Sequence, residues 1–522
     1  MDRRLRCLLP ALPLLLLLTA CGGGGKGSSA APPANFQAAA QDQAVTASWS
    51  DDPSLDYWIF IGPPGTTPDN FTNTAGAYAI PHVTTPYSVS TLAFNGIPTA
   101  LTNFQAYDIT INARSNGGPG GPSSAPVRAV PRPAGGTWTS GTPLVNQADN
   151  LPDDLLSATY GVPYYGNNGV LAPTGAAARF VASGNAGALF YTQQNANGID
   201  FTFFPTTSGL PAGTNLGAVS FDPSVGFLTA GPGGLASASL DGISWTPQVT
   251  GITFNINGIA SLGGSWLGVG DGCNIVSVIG SGNPNQYTSW TSYSAGLIAA
   301  FPTQCGASSP ASLLTSTLGS AAGSNYVVVG GTQGLLAFSP STAFTSTTPG
   351  WTQANLILPA GVTQAQVTVR GLAYGSFTPS PTTAVPNPVG QPLFAAVGDY
   401  LDSTNTVQPL ILYSYDLANW TAVALPASLA GTHLRSVAGI RDPASGQLTQ
   451  LVAVGDAGVI LRSNLIVATV NGLTASSQYI LTPGQVWTPV TGTTTSAQLN
   501  AVVFGHFGFE ALGAAGTNLH SF

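Results

Sequence analysis

The sequence predicts an all-β protein in two parts, a small sandwich followed by a large ring of repeated sheets. Three observations point there. Charged residues make up only 6% of the 522, far below the roughly 25% usual in soluble domains; Lys26 is the only lysine and Glu510 the only glutamate. Hydrophobic residues are 43%, with 65 Gly, 41 Pro and all nine tryptophans inside the regularly patterned part. That is material for a core cut into short strands by turns, not for disorder. No stretch carries the apolar spacing of a long helix. Finally, two short motifs recur from residue 134 to residue 522.

The N-terminus reads as an address. Arg3, Arg4 and Arg6 precede an apolar run from Leu8 to Leu18, interrupted by Pro10 and Pro13 and too short to span a bilayer. Leu18-Thr19-Ala20-Cys21 resembles the lipobox of bacterial lipoproteins. The resemblance implies cleavage after residue 20 and acylation of Cys21, a lipid anchor in the membrane. Gly22 follows where many inner-membrane lipoproteins carry Asp, so the resemblance favours the outer membrane. Residues 21–31, rich in Gly and Ser, read as a flexible tether. Loss of residues 1–20 removes Asp2, Arg3, Arg4 and Arg6 and leaves 9 basic and 19 acidic residues. No basic patch is visible, which argues against a nucleic-acid partner.

Residues 32–133 alternate in short strands. Val45, Ala47 and Trp49 share one face, and Tyr57, Ile59 and Ile61 repeat the pattern. Leu101 precedes Tyr107 by six residues, and Ile109, Ile111 and Ala113 alternate after it. This combination resembles the tyrosine corner of fibronectin type III domains. It implies a β-sandwich of about 100 residues used as a spacer or a protein-binding module.

Residues 134–522 form one repeat array. Trp-Thr occurs at Trp138, Trp245, Trp290, Trp351, Trp420 and Trp487, and Asp200-Phe201-Thr202 fits the gap as a seventh. Upstream of most lies a small-apolar strand ending at a glycine: Gly184, Gly231, Gly270, Gly330, Gly398, Gly455 and Gly513. Repeats of this length with several strands each are the mark of a β-propeller, here of seven blades. Gly513 lacks a following Trp-Thr and Trp138 lacks a preceding glycine strand. The two ends of the array are therefore expected to complete one blade and remove the open edge.

Two repeats carry more. SLDGISWT, with Ser239, Asp241 and Trp245, and SYDLANWT, with Ser414, Asp416 and Trp420, resemble the Asp-box (BNR) turn of sialidase-like propellers, one residue shorter than the common form. The resemblance implies a structural role: the Asp accepts backbone N–H bonds between the third and fourth strands, and the Trp fills a blade interface. The Val-Gly-Asp-x-Gly-x-Ile pattern at Val454–Ile460 also resembles propellers of the photosystem assembly-factor family, which are binding scaffolds.

For chemistry the sequence offers little. The sialidase resemblance implies an arginine triad, a Tyr–Glu pair and an Arg-Ile-Pro signature. The array has only five arginines (Arg179, Arg370, Arg435, Arg441, Arg462), its one glutamate is in a strand, and the signature is absent. His82, His433, His506 and His520 have no metal spacing, and no cofactor motif is present. Asp271, Asp399 and Asp456 follow three of the glycines and are expected on one face. They either line the channel as a ligand-binding ring of carboxylates or cap tight turns. Cys273 and Cys305, the only cysteines after Cys21, read most simply as a disulfide in an exported chain; the alternative is two free thiols. The expectation is a membrane-anchored, non-catalytic binding, adhesion or scaffold protein of the bacterial envelope, its propeller face meeting a polysaccharide or a protein. The alternative is a divergent glycan-active hydrolase using the face aspartates.

Overall fold

A computed structural model describes residues 27–94, 97–162, 178–195, 201–279, 290–377, 390–441, 447–464, 468–471, 478–481, 487–492 and 495–521. Cys21 and Asp200 lie outside the described residues. The chain divides into two compact units, one of residues 1–38, 47–87 and 106–129, the other of residues 39–46, 88–105 and 130–522. Segments 39–46 and 88–105, read from sequence as part of the first domain, therefore group with the repeat array. Within the second unit Gln41 Nε2 donates to the carbonyl of His506 at 3.2 Å.

The first unit is built on a five-stranded sheet. Asp56–Gly62 pairs with Tyr78–Val83 on one side and Tyr107–Arg114 on the other, and Ser29–Ala30 and Val127–Ala129 both join Tyr107–Arg114. The period-2 pattern has its expected effect. Tyr57, Ile59, Ile61, Ile109, Ile111 and Ala113 are buried. The opposite face carries Trp58 with the Arg114 guanidinium 4.0 Å above its ring and Arg128 paired to Asp108 through two nitrogens. That pairing holds the Asp108 carboxyl below the usual range. Ser29 and Ala30, read as tether, instead pair with Arg114 and Ala113. Small side chains suit the close approach: a Cβ on Gly121 would stand 1.8 Å from the Ala30 carbonyl oxygen. A separate three-stranded sheet comprises Gln37–Gln41, Ala44–Ser48 and Tyr87–Val89.

The repeat array is a β-propeller. Among the described residues, seven antiparallel sheets follow one plan. Sheet one runs from Leu155 to Pro205, sheet two from Ala218 to Gln248, sheet three from Ile256 to Ser292 and sheet four from Leu313 to Gln353. Sheet five runs from Val367 to Ala422 and sheet six from Leu434 to Pro489. Sheet seven takes three strands from Leu499 to Ser521 and its fourth, Thr139–Ser140, from the start of the array. The first strands of successive sheets are neighbours all the way round, and that of sheet seven touches that of sheet one. The ring is thus closed without a free innermost edge.

The core is not one mass but a ring of interfaces. Each pair of neighbouring sheets encloses its own cluster of buried apolar side chains, including Leu155, Phe190 and Leu512 between sheets one and seven. The recurring tryptophans open the fourth strands. Trp351, Trp420, Trp487 and Trp138 sit in the clusters between sheets three and four, four and five, five and six, and six and seven; Trp245 and Trp290 lie against the edges of theirs. Polar bonds tie the same neighbours. Ser157 Oγ accepts from Val219 N–H, Asn257 Nδ2 donates to Leu313 O, Ser436 Oγ accepts from Val502 N–H, and Asn500 Nδ2 donates to Leu155 O. Asp222, fully buried on sheet two, accepts from Ser261 and from the N–H groups of Gly263 and Gly264 on sheet three.

Two features have no counterpart in the sequence reading. Between sheets three and four the chain forms short helices, Ser294–Ala300 and Pro302–Cys305, too short to show helical periodicity. Asn355–Ile357, between sheets four and five, joins sheet five as a parallel fifth strand beside Asn419–Ala422.

Candidate functional site

The site begins with a glycine. In six of the seven sheets a β-bulge near the start of the first strand faces a glycine at the end of the second: Leu155 with Gly184, Ile256 with Gly270, Leu313 with Gly331, Val369 with Gly398, Leu434 with Gly455 and Leu499 with Gly513. A Cβ on Gly398 would stand 1.9 Å from the Thr368 carbonyl oxygen, and on Gly455 2.2 Å from that of His433. Nothing but glycine fits there, which is why the residue recurs. In sheet four the position belongs to Gly331, not to Gly330; two adjacent glycines made the sequence register ambiguous by one.

A bulge re-aims the extra residue. In sheets three, five and six that residue is Asn257, Arg370 and Arg435, and each meets the aspartate that follows the opposing glycine. Asn257 Nδ2 donates to Asp271 Oδ1 at 2.8 Å, and Asn255 Nδ2 takes Asp271 Oδ2 at 2.8 Å. Arg370 Nε donates to Asp399 Oδ2, and Arg435 Nε to Asp456 Oδ1 at 2.7 Å. His433 joins the last two. Its Nδ1 is 3.0 Å from Asp399 Oδ2, within ion-pair reach but off the line of a hydrogen bond, and its backbone N–H donates to Asp456 Oδ2 at 3.2 Å.

The structure therefore brings Asp399 and Asp456 into one cluster on neighbouring sheets and leaves Asp271 two sheets away with its asparagines. Asp399 is 8% exposed and Asp456 23%, each facing a guanidinium. Two arginines balance two carboxylates, so the cluster offers no excess negative charge to a cation. Sequence reading missed Arg370, Arg435 and His433 as partners. The signal was present but faint: Arg370 and Arg435 stand at the same place as Asn257, just inside the first strand of each repeat.

Beside this cluster the repeat plan is broken once. The other six sheets join strands two and three by a tight turn of the kind seen at Asp456–Gly458. Sheet five instead extends both strands into a hairpin, Leu401 pairing with Val407. Asp402 closes its tip, accepting from the N–H of Thr404 and Thr406, the Thr404 hydroxyl and Gln408 Nε2. Those bonds hold its carboxyl down to about 2. Gln366 Nε2 on one flank and the Gly431 N–H on the other donate to the hairpin's carbonyls, Leu401 O and Val407 O.

At the opposite ends of sheets two and five lie the two Ser-x-Asp turns. Asp241 Oδ1 accepts from the N–H of Ile243 and Ser244, both at 2.8 Å, and the Ser239 hydroxyl accepts from Gly242 N–H at 2.8 Å. Trp245 Nε1 reaches back to Gly242 O at 3.3 Å. In the second turn Asp416 Oδ1 accepts from Asn419 N–H, Ser414 Oγ from Leu417 N–H, and Trp420 Nε1 donates to Leu417 O at 2.8 Å. These serine, aspartate and tryptophan bonds all stay within their own turns.

Cys273 and Cys305 are brought to bonding distance, with Cα atoms 5.5 Å apart. The contact links the tight turn of sheet three to the second short helix. Among the described residues no group of three His, Cys, Asp or Glu could hold a metal ion, and no helix is long and apolar enough to cross a membrane.

No known family model matches the chain, and no curated protein does. Among solved structures it is similar to YCF48 bound to D1 peptide, at 14% identity and a TM-score of 0.43, over 73% of this chain and 94% of that one. U3-55K is similar at 7% identity and 0.43, over 74% and 99%. The Dos1 propeller follows at 9% and 0.38, over 73% and 94%.

Proposed function

We propose that this chain is a non-catalytic binding scaffold of the bacterial envelope, a seven-bladed propeller carried on a fibronectin type III-like module. The reading includes a lipid anchor at Cys21 in the outer membrane and a disulfide between Cys273 and Cys305. Polysaccharide and protein are both kept as ligands of the propeller face.

The observation that supports it most is what the face aspartates do. Asp271, Asp399 and Asp456 are each bonded to the bulge residue of their own sheet, so the charged groups of that face build the surface instead of reacting on it. The hairpin at Asp402 then raises one side of a rigid face, a form suited to shape recognition. Fold alone fixes no ligand.

The test uses residues 27–522, produced as a soluble chain, on a broad glycan array and in a cross-linking pull-down from envelope. Selective glycan retention that survives Asp399→Asn but weakens when the hairpin is shortened at 402–406 supports a lectin-like scaffold. Retention of one envelope protein with the same hairpin dependence supports a protein scaffold. Glycan cleavage abolished by Asp399→Asn or Asp456→Asn, at unchanged melting temperature, overturns the reading in favour of a hydrolase.

A further inference from the structure

We propose that the ring is locked by a third serine–tryptophan turn, split between two distant chain segments, and that the strap it holds is a releasable latch. The split turn repeats the serine bond and the tryptophan bond of the two continuous ones, without their aspartate. Gly135 N–H donates to Ser521 Oγ at 2.9 Å, as Gly242 does to Ser239 and Leu417 to Ser414. Trp138 Nε1 donates to Gly135 O at 3.0 Å, as Trp245 does to Gly242 O and Trp420 to Leu417 O. Gly135, Gly242 and Leu417 share the left-handed backbone, with φ of 77°, 72° and 67°. The strand register is the same as well: Thr139 faces His520, as Thr246 faces Ala238 and Thr421 faces Tyr413.

What differs is connectivity. In the continuous turns the bonded residues are three apart in sequence; in the split turn they are 386 apart. Closing the contact must therefore be done through the whole ring, at a higher entropic cost. The strap itself is lightly held. Ala134 and Trp138 are buried at one end and Asn146 at the other, while Thr139 and Ser140 are exposed. Between the anchors it is held by backbone pairing, with Gly141 N–H to Asn518 O and Leu144 N–H to Gly516 O, by Asn518 Nδ2 to Thr142 O, and by the half-buried Leu144 against the cluster of sheets one and seven. Opening it disturbs only the two interface clusters that flank sheet seven and bares the edge of Asn518–Ser521, which an extended strand can join.

The experiment is hydrogen exchange by mass spectrometry on residues 27–522. In the wild type the amides of Thr139, Gly141 and Leu144 should exchange through a local opening, well ahead of the first strands of sheets three to five. Ser521→Ala should speed them by about tenfold, the loss of one hydrogen bond, and leave sheets three to five unchanged. Ser239→Ala, its counterpart in a continuous turn, should leave the strap unchanged. The double variant Thr139→Cys/His520→Cys, at directly paired positions, should slow strap exchange to the global rate when oxidised and release it when reduced. Strap amides that already exchange only at the global rate overturn the proposal, as does a Ser521→Ala effect spread evenly round the ring.

Discussion

The turns at Asp241 and Asp416 share a motif and a hydrogen-bond pattern yet bear different loads. In the first, the left-handed position is Gly242, and Trp245 is half-buried with a long 3.3 Å bond to the carbonyl. In the second, a leucine takes the left-handed position. Leu417 is 1% exposed, and Trp420 is fully buried with a 2.8 Å bond. Leucine is strained there by about 1–2 kcal/mol. It is retained in an apolar cluster with Val367, Phe394 and Leu412 between sheets four and five. The first turn is shaped by backbone ease, the second by packing.

Tryptophan removal should separate them most. Trp420→Ala is expected to cost about 3–5 kcal/mol. Trp245→Ala should cost about half as much, since less area leaves water. Denaturant melts of both variants check this, and equal losses would erase the distinction. Next, Leu417→Gly should destabilise by about 1–3 kcal/mol, because lost packing outweighs relief of the left-handed backbone. Gly242→Ala should cost about 1–2 kcal/mol for the opposite reason; its Cβ would meet Val181 Cγ2 at 3.0 Å.

The smaller effects concern charge and cross-linking. Burial opposes the charge of Asp416, but the backbone and side-chain N–H donors of Asn419, with the Ser414 hydroxyl, outweigh it and lower the carboxyl below its ordinary value. A folded-state pKa below the unfolded one, near 3.9, adds stability that is present above the unfolded pKa and lost as pH falls through the folded one. Asp416→Asn should therefore weaken the protein at pH 7 and flatten the acid limb of its stability profile below about pH 4. An unchanged acid limb in the variant would remove the carboxylate from the account. At the other end of the sheets, Cys273 has φ 59° where five other tight turns place a glycine: Gly187, Gly234, Gly334, Gly458 and Gly516. With Cys305→Ala as background, Cys273→Gly should melt higher than Cys273→Ala, by about 1 kcal/mol in stability.

Much of the fold was legible because its determinants are local. The Trp-Thr pair marks the start of a fourth strand, and the glycine marks a place where a carbonyl oxygen leaves no room for Cβ; both constraints repeat with the sheet. The complementary end strands were legible for the same reason, since Thr139–Ser140 fills the one place left open beside Asn518–Ser521. The parallel strand Asn355–Ile357 was not, because three residues carry no period.

The candidate site divides along the same line. Sequence alone picked out Asp271, Asp399 and Asp456, since each follows a glycine at a turn. It left open whether they face a ligand or hold the fold, and it had no means of pairing them. Arg370 meets Asp399 and Arg435 meets Asp456 only because a bulge turns one residue of the first strand toward the end of the second. His433 bridges the two only because sheets five and six are neighbours in the ring. The type and order of the strands follow from short-range sterics, which a sequence displays directly. Which charge neutralises which depends on register and on contacts between sheets, and those exist only once the ring has closed.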